Sequence, residues 1–243
     1  KPAMNEFERR LSARQDELDW LYMELYGDRG RLNELKAMMT RAFQRRSQEL
    51  RLLDQEREAT PGWFRSGGML GVTMYPALFA GTLKGVEGRL DYLQEQGITY
   101  LHLMPLLKMP HPNNDGGYAV EDFNQVDPSL GTNEDLSRLT AAMRRRGMSL
   151  CLDFVVNHTA DTHEWALRAK AGERAYMDRY ICFDSPEIPR EMERHIPDVF
   201  PETAPGSFLY VEEMGQYVCS STSLTAPRSG QRRSHRRPVW ILP

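Results

Sequence analysis

Cysteine is scarce in this 243-residue chain: Cys151, Cys182 and Cys219 are odd in number and widely separated. That excludes a disulfide framework and the paired spacing of a zinc site, and it leaves three free thiols. Neither sign of charge is in excess. A formal net charge of −3 gives no whole-chain attraction to nucleic acid or to an anionic membrane. Long hydrophobic runs are missing too, since none approaches the roughly 20 apolar residues that cross a bilayer. No charged, apolar and small-residue leader opens the chain. The expectation is a cytoplasmic protein without membrane or nucleic-acid partners.

What is present falls into four regions. Residues 1–60 carry apolar stripes at three- and four-residue steps. Phe7, Leu11, Leu18, Leu21, Tyr22 and Leu25 form the first, and Leu32, Leu35, Met38, Met39, Ala42 and Phe43 the second. Gly27 and Asp28 break them, and Leu50 to Leu53 continue the pattern, so a small all-helical domain is predicted. From residue 61 the texture changes. Apolar runs at Met69 to Pro76, Ile98 to Leu106 and Ser149 to Asn157 alternate with helical patterns at Leu83 to Gln96 and Asn133 to Arg146. A long polar loop separates the second run from the second helix. Strand, helix, strand, helix, strand predicts an α/β fold with a parallel sheet and crossover helices. The polar residues gather where the runs end, which in barrels of this kind is the chemical rim.

Residues 159–218 lose that rhythm. They scatter Trp165, Tyr176, Tyr180, Phe183, Phe200, Phe208 and Tyr210 among prolines and charges, as an inserted small domain would. Residues 219–243 hold five arginines, five serines and no acid, and are expected to be disordered. The Arg232-Arg233 and Arg236-Arg237 pairs lack interleaved aromatics and do not make a nucleic-acid site. Gly67, Gly68 and Gly71 lack the order of a phosphate loop. His158, His163 and Glu164 lack the spacing of a helical metal pair.

Two segments carry a family resemblance: Asn114 to Leu136, NDGGYAVEDFNQVDPSLGTNEDL, and Asp153 to Thr159, DFVVNHT. In this order they resemble the α-amylase superfamily, glycoside hydrolase family 13. Within it, NDGGYAV, the HEW at 163–165 and FPETAPGSF at 200–208 are similar to the amylosucrases, over residues 15 to 218. The resemblance implies a (β/α)8 barrel cut to its first three strands over residues 61–158. The helical domain precedes it, and residues 159–218 would be part of the inserted B domain. After Val218 the chain departs from the amylosucrase pattern in a way that reads like a shifted frame.

The implied chemistry is retaining transfer of glucose from sucrose to the 4-hydroxyl of an α-glucan, with fructose released and no cofactor. Tyr118 would stack on the donor glucose. His158 would hold the glucosyl 6-hydroxyl and support the transition state. Asp115 would close the pocket floor, but as an unpaired carboxylate, because its arginine partner is absent. Asp153 and Asn157 would be structural at the strand end, with no metal bound. The family's nucleophile, acid/base and third carboxylate follow later strands, so the 243 residues are expected to be inactive. A sucrose hydrolase, another family 13 α-glucosidase or isomerase, and a non-catalytic fragment are the alternatives. Three barrel strands leave open edges, which predicts poor solubility.

Overall fold

A computed structural model describes residues 5–112, 114–196 and 206–220, together with the backbone of 239–240. The chain divides into two compact units, Lys1–Ser66 and Gly67–Pro243.

The first unit is helical, as its stripes require. Helix α1 (Glu6–Tyr26) begins at a reciprocal cap. Asn5 accepts from the Glu8 amide while Glu8 accepts from the Asn5 amide. It ends at Gly27, whose φ of 63° is the left-handed turn that glycine supplies without strain. Helix α2 (Arg29–Arg45) is capped by Asp28, and α3 (Gln48–Ala59) by Ser47. Phe7 stacks on Phe43 at 5.4 Å, so the two predicted stripes meet. Their burial is partial. Leu32 is the one buried side chain among the described residues of this unit, while Leu21 and Leu25 at the end of the first stripe are exposed.

In the second unit a parallel sheet has the order β1 (Gly71–Met74), β2 (Tyr100–Leu103), β5 (Ser149–Leu152). The three expected strands are there, each shorter than its apolar run. Tyr75 already caps α4 (Pro76–Ala80), because Pro76 lacks an amide for the ladder and suits a first helical turn. The predicted helix over 83–96 is two: α5 (Leu83–Glu87) and α6 (Leu90–Glu95), parted at Gly88. Gly85 lies so close to the Ala80 carbonyl that a Cβ would stand 2.0 Å from its oxygen. The helix α7 (Asn133–Arg145) matches its prediction, with Thr132 and Asp135 forming a capping box. Leu83, Val86, Leu90, Leu101, Leu103, Leu139 and Met143 make the core between helices and sheet, each 0–1% exposed. At about 25 cal/mol per Å², burial of this kind is the main term that holds the layers together.

The polar loop after Leu106 carries structure of its own, an antiparallel pair of β3 (Leu107–Lys108) and β4 (Asp122–Val126). Residues after His158 also keep more order than their composition implies. The strand β6 (His158–Thr159) is followed by α8 (Glu164–Lys170), α9 (Arg174–Met177), β7 (Cys182–Phe183) and α10 (Glu187–Glu193). Then β8 (Phe208–Val211) and β9 (Gln216–Cys219) join β7 in a sheet of order β7-β9-β8. Ala166, Ala169, Tyr180 and Val218 form its separate core.

Of the segment from 219 that is expected to be disordered, the described residues Cys219 and Val239–Trp240 lie in strands. Cys219 completes β9 by pairing with Phe208, because its amide still finds the Ile181 carbonyl at 2.9 Å. Val239–Trp240, here β10, pairs antiparallel with β6. Residues 221–238 and 241–243, with the arginine pairs, lie outside the described residues.

Candidate functional site

Parallel strands place their C-terminal ends on one side, and the motif residues converge there. Asp153 follows β5 directly. Tyr118 arrives on the loop after β3, whose turn is built by Asp115, Gly116 and Gly117 at φ of 52°, 66° and 94°. Three successive left-handed residues demand glycine or a short polar side chain, which explains the D-G-G string. Gly117 has a second reason: a Cβ there would meet Pro105 Cβ at 2.9 Å. The Asn114 side chain accepts from the Gly117 amide at 3.2 Å and closes the turn.

The Tyr118 hydroxyl donates to Asp153 Oδ2 at 3.3 Å. Its backbone carbonyl accepts from His158 Nε2 at 3.0 Å, and Asn157 Nδ2 donates to His158 Nδ1 at 2.6 Å. The imidazole proton therefore sits on Nε2. Burial lowers the His158 pKa, against the hydrogen bond to Tyr118 and the Asp115 charge, which raise it. The ring is neutral at pH 7. Burial raises the Tyr118 phenol pKa, and the Asp153 charge adds to it, so Tyr118 keeps its proton.

Tyr118, Asp153, Asn157 and His158 are thus one hydrogen-bonded group, and the charge of Asp115 bears on it. Two expectations change. Asp115 is not unpaired, since its carboxylate acts on His158. And both His158 nitrogens are engaged within the protein, so a sugar 6-hydroxyl reaches the ring only by sharing or displacing the bond to the Tyr118 carbonyl. Asp153 and Asn157, read as strand-end residues, hold Tyr118 and His158 directly.

The sequence reading passed over His102, Tyr75 and Asp127. His102 Nε2 stands 3.3 Å from Asp153 Oδ1, and the Tyr75 hydroxyl lies 3.2 Å from the position a Cβ would take on Gly116. Asp127 is fully buried. It accepts from the Met109 amide (3.2 Å), the Ser129 amide (2.9 Å) and hydroxyl (2.5 Å), and His111 Nε2 (3.1 Å). Burial alone would raise its pKa, but the bonds from Ser129, His111 and Met109 hold it below the ordinary carboxylate value. For His102, a histidine inside the apolar run ITYLHLMPL is the signal that was there to read.

A cavity of about 830 Å³ lies elsewhere, lined by Phe123, Phe154, Val156 and Trp165 among others, and it does not include Tyr118 or His158. Among the described residues no three His, Cys, Asp or Glu side chains are grouped to hold a metal ion. No described helix is long and apolar enough to cross a membrane.

Comparisons with known proteins agree with this architecture. Maltase 1 of Drosophila virilis is 38% identical over 117 residues, 48% of this chain and 18% of its own length. The amino acid transporter heavy chain SLC3A1 of Rattus norvegicus is 36% identical over 126 residues, 49% of this chain and 18% of its own. The trehalulose synthase MutB from Pseudomonas mesoacidophila MX-45 matches in structure with a TM-score of 0.56 and 26% identity, over 73% of this chain and 30% of that one. A MutB variant has been solved with the substrate sucrose, and matches with a TM-score of 0.57. The chain spans about a fifth of the curated relatives' length, and its parallel sheet is the first three strands of their (β/α)8 barrel. The family model for the α-amylase catalytic domain matches residues 38–226, more than three quarters of the chain, and the chain belongs to the α-amylase family.

Proposed function

We propose that this chain supplies the donor-sugar wall of a retaining α-glucosyl-transferring enzyme of the amylosucrase type. The observation that carries the reading is the union of Tyr118, Asp153, Asn157 and His158 at the C-terminal ends of parallel strands. A tyrosine ring fixed by its own hydroxyl offers an apolar plane to a pyranose face. A buried, uncharged imidazole lies beside it, and its Nε2–H, given to the Tyr118 carbonyl, serves a sugar hydroxyl by sharing or giving up that bond.

The transfer itself needs two further carboxyl groups. One attacks the glucosyl C1 as the bond to fructose breaks, and the other gives its proton to the fructose oxygen. That same group then removes a proton from the acceptor 4-hydroxyl as the acceptor oxygen takes C1 back from the nucleophile. Asp153 is committed to Tyr118 and His102, and Asp115 to the turn beside His158, so neither is offered as these groups. We therefore expect the 243-residue polypeptide to bind or orient a glucosyl ring without turning it over.

Sucrose as donor is favoured by the NDGGYAV and HEW strings and by the sucrose complex of the MutB variant. A sucrose isomerase or an α-glucosidase would use the same wall. A non-catalytic role is the second reading, because one relative carries the name of a transporter heavy chain. The test is reassembly with a polypeptide carrying the remaining barrel strands of an amylosucrase. Fructose release from sucrose should appear, and Tyr118→Ala or His158→Ala should lower it by roughly 10²-fold or more. Reassembled enzyme indifferent to both substitutions would refute the assignment of the wall.

A further inference from the structure

We propose that His102 is a positioning residue of the donor-sugar wall, holding Asp153 so that the Tyr118 ring keeps one plane. The inference rests on the reading of Tyr118 as the sugar platform, and it begins from strand parity. Side chains alternate along β2, so Leu101 and Leu103, both fully buried, point into the helix-side core. His102 points to the opposite face. In register, Thr73 lies beside it on β1 and Cys151 on β5. Asp153 is two residues beyond Cys151, hence on the face His102 shares, one pleat nearer the rim.

The hydrogen bonds follow that layout. The Thr73 hydroxyl is 3.3 Å from His102 Nδ1, with the direction of the bond set by the tautomer, and the other ring nitrogen is Nε2. That Nε2 is buried and makes no hydrogen bond among the described residues. It stands 3.3 Å from Asp153 Oδ1, off the line of a straight bond. The other oxygen, Oδ2, takes the Tyr118 hydroxyl. Thr73, His102, Asp153 and Tyr118 therefore form a row across three strands to the loop that carries the sugar platform. A histidine in the middle of ITYLHLMPL is costly unless its polar atoms are used. Here one nitrogen is fixed by Thr73 and the other faces the carboxylate that restrains Tyr118. Without the imidazole, Asp153 Oδ1 loses the ring that faces it at 3.3 Å and is free to change rotamer. The tyrosine hydroxyl then follows it or loses it, and the stacking plane is no longer set.

The experiment uses the whole 243-residue chain labelled with ¹³C in the tyrosine ring, following the Tyr118 Cζ signal, assigned with Tyr118→Phe, as pH rises. Burial, with the fixed carboxylate beside the phenol adding to it, should keep the Tyr118 midpoint above that of free tyrosine. His102→Leu is expected to shift that midpoint down, and His102→Gln, which returns an N–H donor within reach of Asp153, to restore it. Thr73→Val, which keeps the ring but removes the hydroxyl that orients it, should shift it the same way by less and guards against a misfolded leucine variant. An unchanged midpoint in both His102→Leu and Thr73→Val would overturn the proposal. So would an equal shift in the leucine and glutamine variants, since that is what lost packing alone would give. No sugar enters this measurement, so its failure leaves the sugar-binding reading standing, and failure of the sucrose assay leaves it intact.

Discussion

Replacing Asp127 by asparagine tests the second polar centre of the fold, the one that fastens the loop carrying Tyr118. The carboxylate is fully buried and receives two amides, a hydroxyl and an imidazole. Asparagine has nearly the same shape, so no cavity opens. The charge is lost, and one oxygen becomes an NH2 facing groups that are themselves donors. His111 is more than half exposed, and its share is small because water competes for it. The other three bonds fall from charge-assisted to neutral strength or are lost, about 1 kcal/mol each, for a total near 2–3 kcal/mol at pH 7. For a domain of this size that lowers Tm by about 4–12 °C. The pH dependence has a definite sign. The folded-state pKa of Asp127 is depressed, so its contribution is complete above the unfolded carboxylate value near 3.9 and is lost as pH falls through the folded value. Melting followed by circular dichroism at pH 7 and at pH 3 and below should show the gap between the two proteins closing as acid is added. Hydrogen exchange should place the loosening at the Met109 and Ser129 amides. Equal stability at pH 7, or a gap that stays constant into acid, would refute this account of the loop.

Two further outcomes follow from packing and burial. Leu139→Ala removes a fully buried side chain of α7 from the main core and should cost about 2–5 kcal/mol, measured by urea unfolding of the second unit. Burial raises the thiol pKa of Cys182 and of Cys219 to about 11, so at pH 8 only about one thiol in a thousand is thiolate. Iodoacetamide should leave both unmodified while the protein is folded and alkylate them in urea. Peptide mapping that finds either one modified as fast as free cysteine would contradict their burial.

Local signals carried the elements whose causes are local. The α7 helix was legible because Thr132, Asp135 and the Leu136, Leu139, Ala142, Met143 stripe all act within one segment. The cores of the three parallel strands were legible because their runs are almost wholly apolar, although one face is open in this chain, with Gly71, Thr73 and Leu152 exposed. The split between α5 and α6 was not, since the apolar spacing of Val86, Leu90 and Leu93 runs straight through the break at Gly88 and Arg89. The β7-β9-β8 sheet was missed because its strands are only two to four residues long, and β7 pairs with β9 across the whole of α10 and β8 rather than with a sequence neighbour. For the candidate site, the motif strings single out Asp115, Tyr118, Asp153, Asn157 and His158, but not their bonding. Which carboxylate holds Tyr118, and which nitrogen of His158 carries the proton, are facts about neighbours that only the fold brings together.

The assay closest to the central claim incubates the purified 243-residue chain with sucrose and quantifies fructose, alone and after adding a polypeptide with the remaining barrel strands of an amylosucrase. The chain alone should match the blank, because on the proposed reading it carries the sugar-holding wall and not the groups that break the glycosidic bond, and release should begin on addition. Fructose above blank from the chain by itself would contradict the account.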